Sequence, residues 1–140
     1  MTAAALALSL LLAAPDGSVR VGSKAFTESV LLGEMAARLA AGTGAEVRHE
    51  RALGGTRILW EALLRGDVDV YPDYTGTLAR EILGSAAPLD DGALRAALAR
   101  HGVDVTASLG FEDTYAVGVR REVAARLGLS RLSDLARAPD

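Results

Sequence analysis

Along most of the chain, short apolar stretches alternate with longer segments of helical period. "SVRVGSK" reads as a short strand. "FTESVLLGEMAARLAAGTG" places Leu32, Met35 and Leu39 at i, i+3 and i+7 and closes on Gly-Thr-Gly, a helix with its stop signal. "AEVRHERAL" alternates weakly as a second strand, and "GGTRILWEALLRG" predicts a helix presenting Ile58, Leu59, Ala62 and Leu63 and ending at Gly66. "VDVYPDY" is a third strand, buried on both faces, with Tyr71 in the core beside Val68 and Val70. Two helices follow, "TGTLAREIL" and "DDGALRAALARHG", the second capped by Asp90 or Asp91. "VDVTASLGFEDTYAVGVRRE" reads as extended, and "VAARLGLSRLSDLARA" opens a new helical region. Strand–helix alternation of this length predicts an α/β fold with a parallel sheet and crossover helices.

The first residues break this pattern. "MTAAALALSLLLAAPDG" is an uncharged apolar run from Ala3 to Ala14, broken by Pro15-Asp16-Gly17. It is too short to span a bilayer and has the length of a secretory signal's apolar core, although a positive n-region is missing. Residues 1–14 are therefore expected to be a leader removed on export, with the mature chain starting near Pro15 or Asp16. The competing reading is a buried first helix or strand.

Composition narrows the function classes. Half of the 140 residues are apolar, enough for one ordinary globular core. Fifteen basic and eighteen acidic residues leave a net charge of −3 with no basic run, which argues against nucleic acid as a partner. The absence of cysteine excludes a disulfide and a lipid-bearing cysteine after the leader. Lys24 is the lone lysine in a chain that otherwise uses arginine.

In a parallel α/β sheet, ligands lie outside the carboxyl ends of the strands. Three such exits carry small or hydroxyl residues at a helix start: Gly22-Ser23-Lys24, Gly54-Gly55-Thr56 and Tyr74-Thr75-Gly76-Thr77. Helix amides and Lys24 favour an anionic group there, while Tyr74 and nearby Asp73 favour a cation. A small zwitterion satisfies both ends. Other polar residues have plainer readings: Asp69 and Asp73 as solvated or capping groups, His49 and His101 as surface residues, and Trp60 as packing against the sheet. Gly54-Gly55 lacks the Gly-Lys-Ser/Thr of a nucleotide loop, and no metal-ligand spacing or cofactor motif is present.

"VGSKAFTESVLLGEMAARL", "LGGTRILWEALLRGDVDVYPDYTGT" and "LGFEDTYAVGV", in this order, resemble the substrate-binding proteins of osmoprotectant ABC importers, the glycine betaine, choline and carnitine binders of the ProX/OpuC type. The resemblance runs from about Val19 to the chain end. It implies a type II periplasmic-binding-protein fold: two α/β lobes, each with a mostly parallel sheet flanked by helices, around a ligand cleft caged by tyrosines. It implies that Lys24 and Thr77 contact the ligand carboxylate, that Tyr74 and Tyr115 wall the cage, and that Asp113 lies beside the quaternary ammonium. It also implies a periplasmic or extracytoplasmic location, and as partners a membrane permease with its ATPase. On that pattern residues 15–108 form a first lobe, and 109–140 form the crossover and the start of a truncated second lobe, so the sequence is expected to be an N-terminal fragment. Two alternatives compete: a ligand-sensing effector module of a larger regulatory chain, and an enzyme on the same fold using Lys24 and Asp113 as acid and base.

Overall fold

The computed structural model describes residues 17–113 and 116–137. The leader-like residues 1–14 and Tyr115 lie outside the described residues. The chain divides into two compact units between Ala107 and Ser108.

In the first unit, strand β1 (Ser18–Gly22) pairs in parallel with β2 (Glu46–Glu50), in a register that sets Ser18 against Glu46 and Gly22 against Glu50. On the other edge of β1 the expected third strand shrinks to a single parallel bridge, Val21 to Val70. Two features stop the ladder. The Arg20 amide donates to the Asp69 carboxylate (2.7 Å) rather than to a backbone carbonyl, and Pro72 has no N–H to continue the pairing. Nor is this segment buried throughout: Val68 is buried but Val70, on the same side of the chain, is exposed.

Helix α1 (Thr27–Ala41) lies against β1 and β2. Its buried face is not the large apolar series but Ser29, Gly33 and Ala37 at i, i+4 and i+8, while Met35 and Leu39 are exposed. Small residues win that face because the helix comes down close on the sheet, and Val19, Val21 and Ala37 form the cluster between them. A Cβ added at Gly33 would come within 2.5 Å of His49 Nε2 and 3.0 Å of Ser23 Cβ. Helix α2 (Thr56–Arg65) buries Thr56, Leu59 and Ala62, leaves Ile58 exposed, and ends at Gly66 in the left-handed conformation (φ 73°) that glycine adopts at least cost.

After Tyr74 the chain makes a three-residue helix, α3 (Thr75–Thr77), which widens into a π turn at Leu78–Ile82. Helix α4 (Asp91–Ala99) follows, capped by Asp90, whose Oδ1 accepts from the Ala93 amide at 2.8 Å. Leu78, Leu94 and Leu98 form a second cluster with Trp60 of α2 packed on it. Trp60 thus braces the π turn and α4 rather than the sheet, and its ring meets exposed His101 edge-on at 5.6 Å. Burying three leucines contributes about 1.5–3 kcal/mol each, enough to fix the segment that carries Tyr74 and Thr77.

In the second unit, helix α5 (Arg121–Leu127) ends at Gly128 (φ 64°), and a 3₁₀ turn spans Leu132–Arg137. Asp134 Oδ2 accepts from the amides of Ser130 and Arg131, both at 2.8 Å. The residues expected to be extended, from Val103 to Glu122, form no strand among those described, and the last two of them open α5.

The close approach of α1 generates a prediction. Gly33→Ala should destabilise the chain by about 1–3 kcal/mol in urea denaturation, because the buried imidazole and Ser23 cannot both retreat. That outweighs the helix-propensity gain of about 1 kcal/mol. A neutral or stabilising effect would mean that the helix does not sit this close to the sheet.

Candidate functional site

The carboxyl ends of β1, β2 and the Val70 segment meet around Lys24. The Lys24 backbone N–H donates to Ser29 Oγ (2.8 Å), which ties the turn after β1 to the start of α1. Ser23 joins that turn to the next exit: its amide donates to the Glu50 carbonyl (3.1 Å), and its own carbonyl accepts from Leu53 (3.0 Å). The Ala25 amide donates to the Gly54 carbonyl (3.0 Å). Between these anchors Ala52 is driven to a left-handed φ of 53°, a conformation that costs an L-residue about 1 kcal/mol.

Lys24 is buried and paired rather than mobile at the surface. Its side chain is 7 % exposed, and its Nζ donates to Asp73 Oδ1 at 2.6 Å and to Thr56 Oγ1 at 3.0 Å. Asp73, read from sequence as solvated or capping, is the buried partner: its side chain is 4 % exposed, and the same Oδ1 also accepts from the Tyr74 amide at 2.7 Å. One ammonium thereby links the first exit (Lys24), the second (Thr56) and the third (Asp73, Tyr74). Burial pushes the Asp73 carboxyl above its ordinary range, and Lys24 opposes the shift without cancelling it. Asp69 is not simply solvated either, since Arg20 holds it through Nη2–Oδ1 at 3.1 Å.

Tyr71 lies partly buried behind this pair. Its hydroxyl and Asp73 Oδ2 are both buried, and neither has a hydrogen bond of full geometry among the described residues, although the two side chains lie close enough for Asp73 to act on the phenol. Burial, and then the Asp73 charge, raise the Tyr71 phenol well above its usual range.

His49, too, has a buried side chain. It sits on the inward side of β2 with its side chain 7 % exposed, not on the surface. Its Nε2 lies 3.0 Å from Ser23 Oγ and its Nδ1 3.2 Å from Glu34 Oε2. Hydrogen bonds from His49, Arg51 and Arg38 hold the Glu34 carboxyl down at about 2. The Ser–His–Glu connectivity is that of a nucleophile chain, but Ser23 has no exposed surface, so no substrate reaches its hydroxyl. The chain works as a clamp on the turn that presents Lys24.

Of the sequence-predicted residues, the fold brings together Lys24 and Tyr74 through Asp73, and Thr77 follows on α3, partly buried. Asp113 is an exposed residue of the second unit. Thr56 and Asp73, named at the exits but not as partners of Lys24, and His49, read as a surface residue, complete the arrangement. A signal for His49 was present, because it shares the inward parity of Val47 on β2. Phe26, Gly55 and Tyr74 begin α1, α2 and α3 without a capping side chain, as Arg120 begins α5, whereas α4 is capped by Asp90. At three residues α3 supplies local amides but little dipole.

Parallel strands whose exits converge on uncapped helix starts and a buried lysine define a ligand-binding α/β lobe. Residues 17–140 match the family described as the substrate-binding domain of ABC-type glycine betaine transport systems, and the chain belongs to that family. It is similar to the glycine betaine-binding protein YehZ of Escherichia coli K12, at 30 % identity over 96 % of this chain and 45 % of the relative. It is similar also to the carnitine transport binding protein OpuCC of Listeria monocytogenes, at 32 % identity over 84 % of this chain and 41 % of the relative. The solved structure of apo YehZ from Escherichia coli superposes with a TM-score of 0.61 at 28 % identity, covering 86 % of this chain and 45 % of that one. The chain thus spans less than half the length of these relatives.

The buried pair makes a stability prediction. Lys24→Met should cost about 3–5 kcal/mol because it strands a buried carboxylate. Lys24→Met combined with Asp73→Asn should recover most of that loss. Strictly additive losses in urea denaturation would mean that the two side chains do not interact in solution.

Proposed function

We propose that this lobe receives a small quaternary-ammonium or zwitterionic osmoprotectant of the glycine betaine, choline or carnitine type, and that the protein is the extracytoplasmic solute-binding component of an ABC importer. The observation that carries this reading is the Lys24 ammonium at the strand exits. Two of its three N–H donors are engaged by Thr56 and Asp73, which leaves one to offer to a ligand carboxylate. The uncapped amides of α1 and α2 support the same end of the ligand, and Thr77 supplies a hydroxyl one turn beyond Tyr74.

Tyr74, held at the edge of this group by Asp73, offers its ring face to a trimethylammonium. In this reading Tyr115 and Asp113 complete the cage, and closure of two lobes buries the ligand and dries its contacts, a hinge motion of periplasmic binding proteins. A permease and its ATPase then take the ligand onward, and residues 1–14 direct export.

Because Asp73 neutralises Lys24, the carboxylate end of the site is dipolar rather than strongly cationic. Ligands lacking a carboxylate, such as choline, therefore meet no unpaired positive charge.

Calorimetric titration with glycine betaine tests the cage. Tyr74→Phe should keep most of the affinity, because the π face survives, whereas Tyr74→Ala should lose about 1–2 kcal/mol. Equal losses in the two variants would assign Tyr74's contribution to its hydroxyl and remove it from the cage.

A further inference from the structure

The Lys24–Asp73 pair uses only one oxygen of the carboxylate. Asp73 Oδ1 carries both donors, Lys24 Nζ at 2.6 Å and the Tyr74 amide at 2.7 Å, while Oδ2 is buried without a partner. Such an arrangement is costly, because a buried anionic oxygen that accepts nothing forfeits its hydration. Two residues earlier the Tyr71 hydroxyl is likewise buried without a hydrogen bond of full geometry among the described residues, and Asp73 is the side chain within reach of it. Pro72 between them keeps Tyr71 extended, and side chains two apart on extended backbone project to the same side. One orphan is an O–H donor and the other an anionic acceptor, each supplying what the other lacks. The charge acting on the Tyr71 hydroxyl is that of Asp73.

We propose that Tyr71 is a positioning residue for ligand capture: its hydroxyl donates to Asp73 Oδ2, holds that carboxylate in place, and through it fixes the Lys24 ammonium at the strand exits. The ligand arm of this inference rests on the binding function proposed above; the contact itself does not. The groups that face Asp73 are Lys24 from the turn after β1, Tyr71 and the Tyr74 amide from its own segment, and Glu81 from the π turn. Three of the four favour the ionised carboxylate once Tyr71 donates, and Glu81 opposes it.

Lys24 is the lone lysine, so selective lysine labelling gives a single side-chain signal. The ¹³Cε shift of Lys24, followed from about pH 3 to 8, reports protonation of Asp73. A carboxylate that loses a hydrogen-bond donor holds its proton to higher pH. Tyr71→Phe should therefore raise the midpoint of that step by about one pH unit. Asp73→Asn should abolish the step, and adding Tyr71→Phe to Asp73→Asn should change nothing further. Any contribution of Glu81 persists in the Asp73→Asn background and is thereby separated. An unmoved midpoint in Tyr71→Phe, or an equal shift of the signal with and without Asp73, would overturn the proposal. If Asp73→Asn does not fold, the comparison of Tyr71→Phe with the unaltered protein decides alone.

For the ligand arm, Tyr71→Phe should weaken glycine betaine by roughly threefold to tenfold and choline much less, since only the former uses Lys24. Equal weakening of both would overturn the link to capture. If neither compound binds the unaltered protein, the proposed function fails while the lysine titration still decides the Tyr71–Asp73 contact.

Discussion

The salt bridge between Lys24 and Asp73 is the constraint around which the first unit is arranged. Both side chains are almost wholly buried and their charged atoms are 2.6 Å apart. Two charges taken out of water each cost several kcal/mol, and only their mutual contact and further hydrogen bonds offset that cost. The pair therefore cannot loosen gradually. Whatever holds Lys24 in place, through Ser29, Ser23 and the His49–Glu34 clamp, also holds Asp73. The leucine cluster braced by Trp60 fixes the π turn that begins four residues after Tyr74, in the same segment as Asp73. The paired charges join three strand exits that share only a narrow sheet.

Under the proposed function, this arrangement sets how a ligand anion would be received at the exits. A lone exposed lysine would attract any carboxylate, with a strength that falls with salt. A lysine already paired offers instead a fixed N–H beside a hydroxyl and helix amides. Recognition by fixed donors requires little reorganisation when a ligand arrives, and it discriminates by geometry more than by net charge. That suits a zwitterion, whose own net charge is zero.

Much of this was legible in the amino-acid sequence. The period change from Val19 and Val21 to the helix beginning at Thr27, the Gly66 stop and the Asp90 cap each report a local preference, and the fold follows them. Lys24 stood out as the lone lysine, and Tyr74 and Thr77 by their place at a strand exit. What sequence did not reveal was set by contacts distant along the chain. Large apolar residues on α1 implied one buried face, but the close approach to the sheet selects Ser29, Gly33 and Ala37 instead. A run of β-forming residues implied a third strand, but Asp69 takes the Arg20 amide and Pro72 interrupts the ladder. The sign of Asp73's role depended on a lysine 49 residues away, and no periodicity carries that information.

The central claim is that the Lys24 ammonium, seated on Asp73 and Thr56, receives the anionic end of an osmoprotectant while Tyr74 faces its cationic end. A crystal structure of the full-length protein with glycine betaine tests this most directly. The account predicts a ligand carboxylate oxygen about 2.7–3.0 Å from Lys24 Nζ, the trimethylammonium within about 6 Å of the Tyr74 ring centroid, and the Lys24–Asp73 contact retained. Glycine betaine bound elsewhere on the protein, with Lys24 contacting only Asp73 and Thr56, would contradict it.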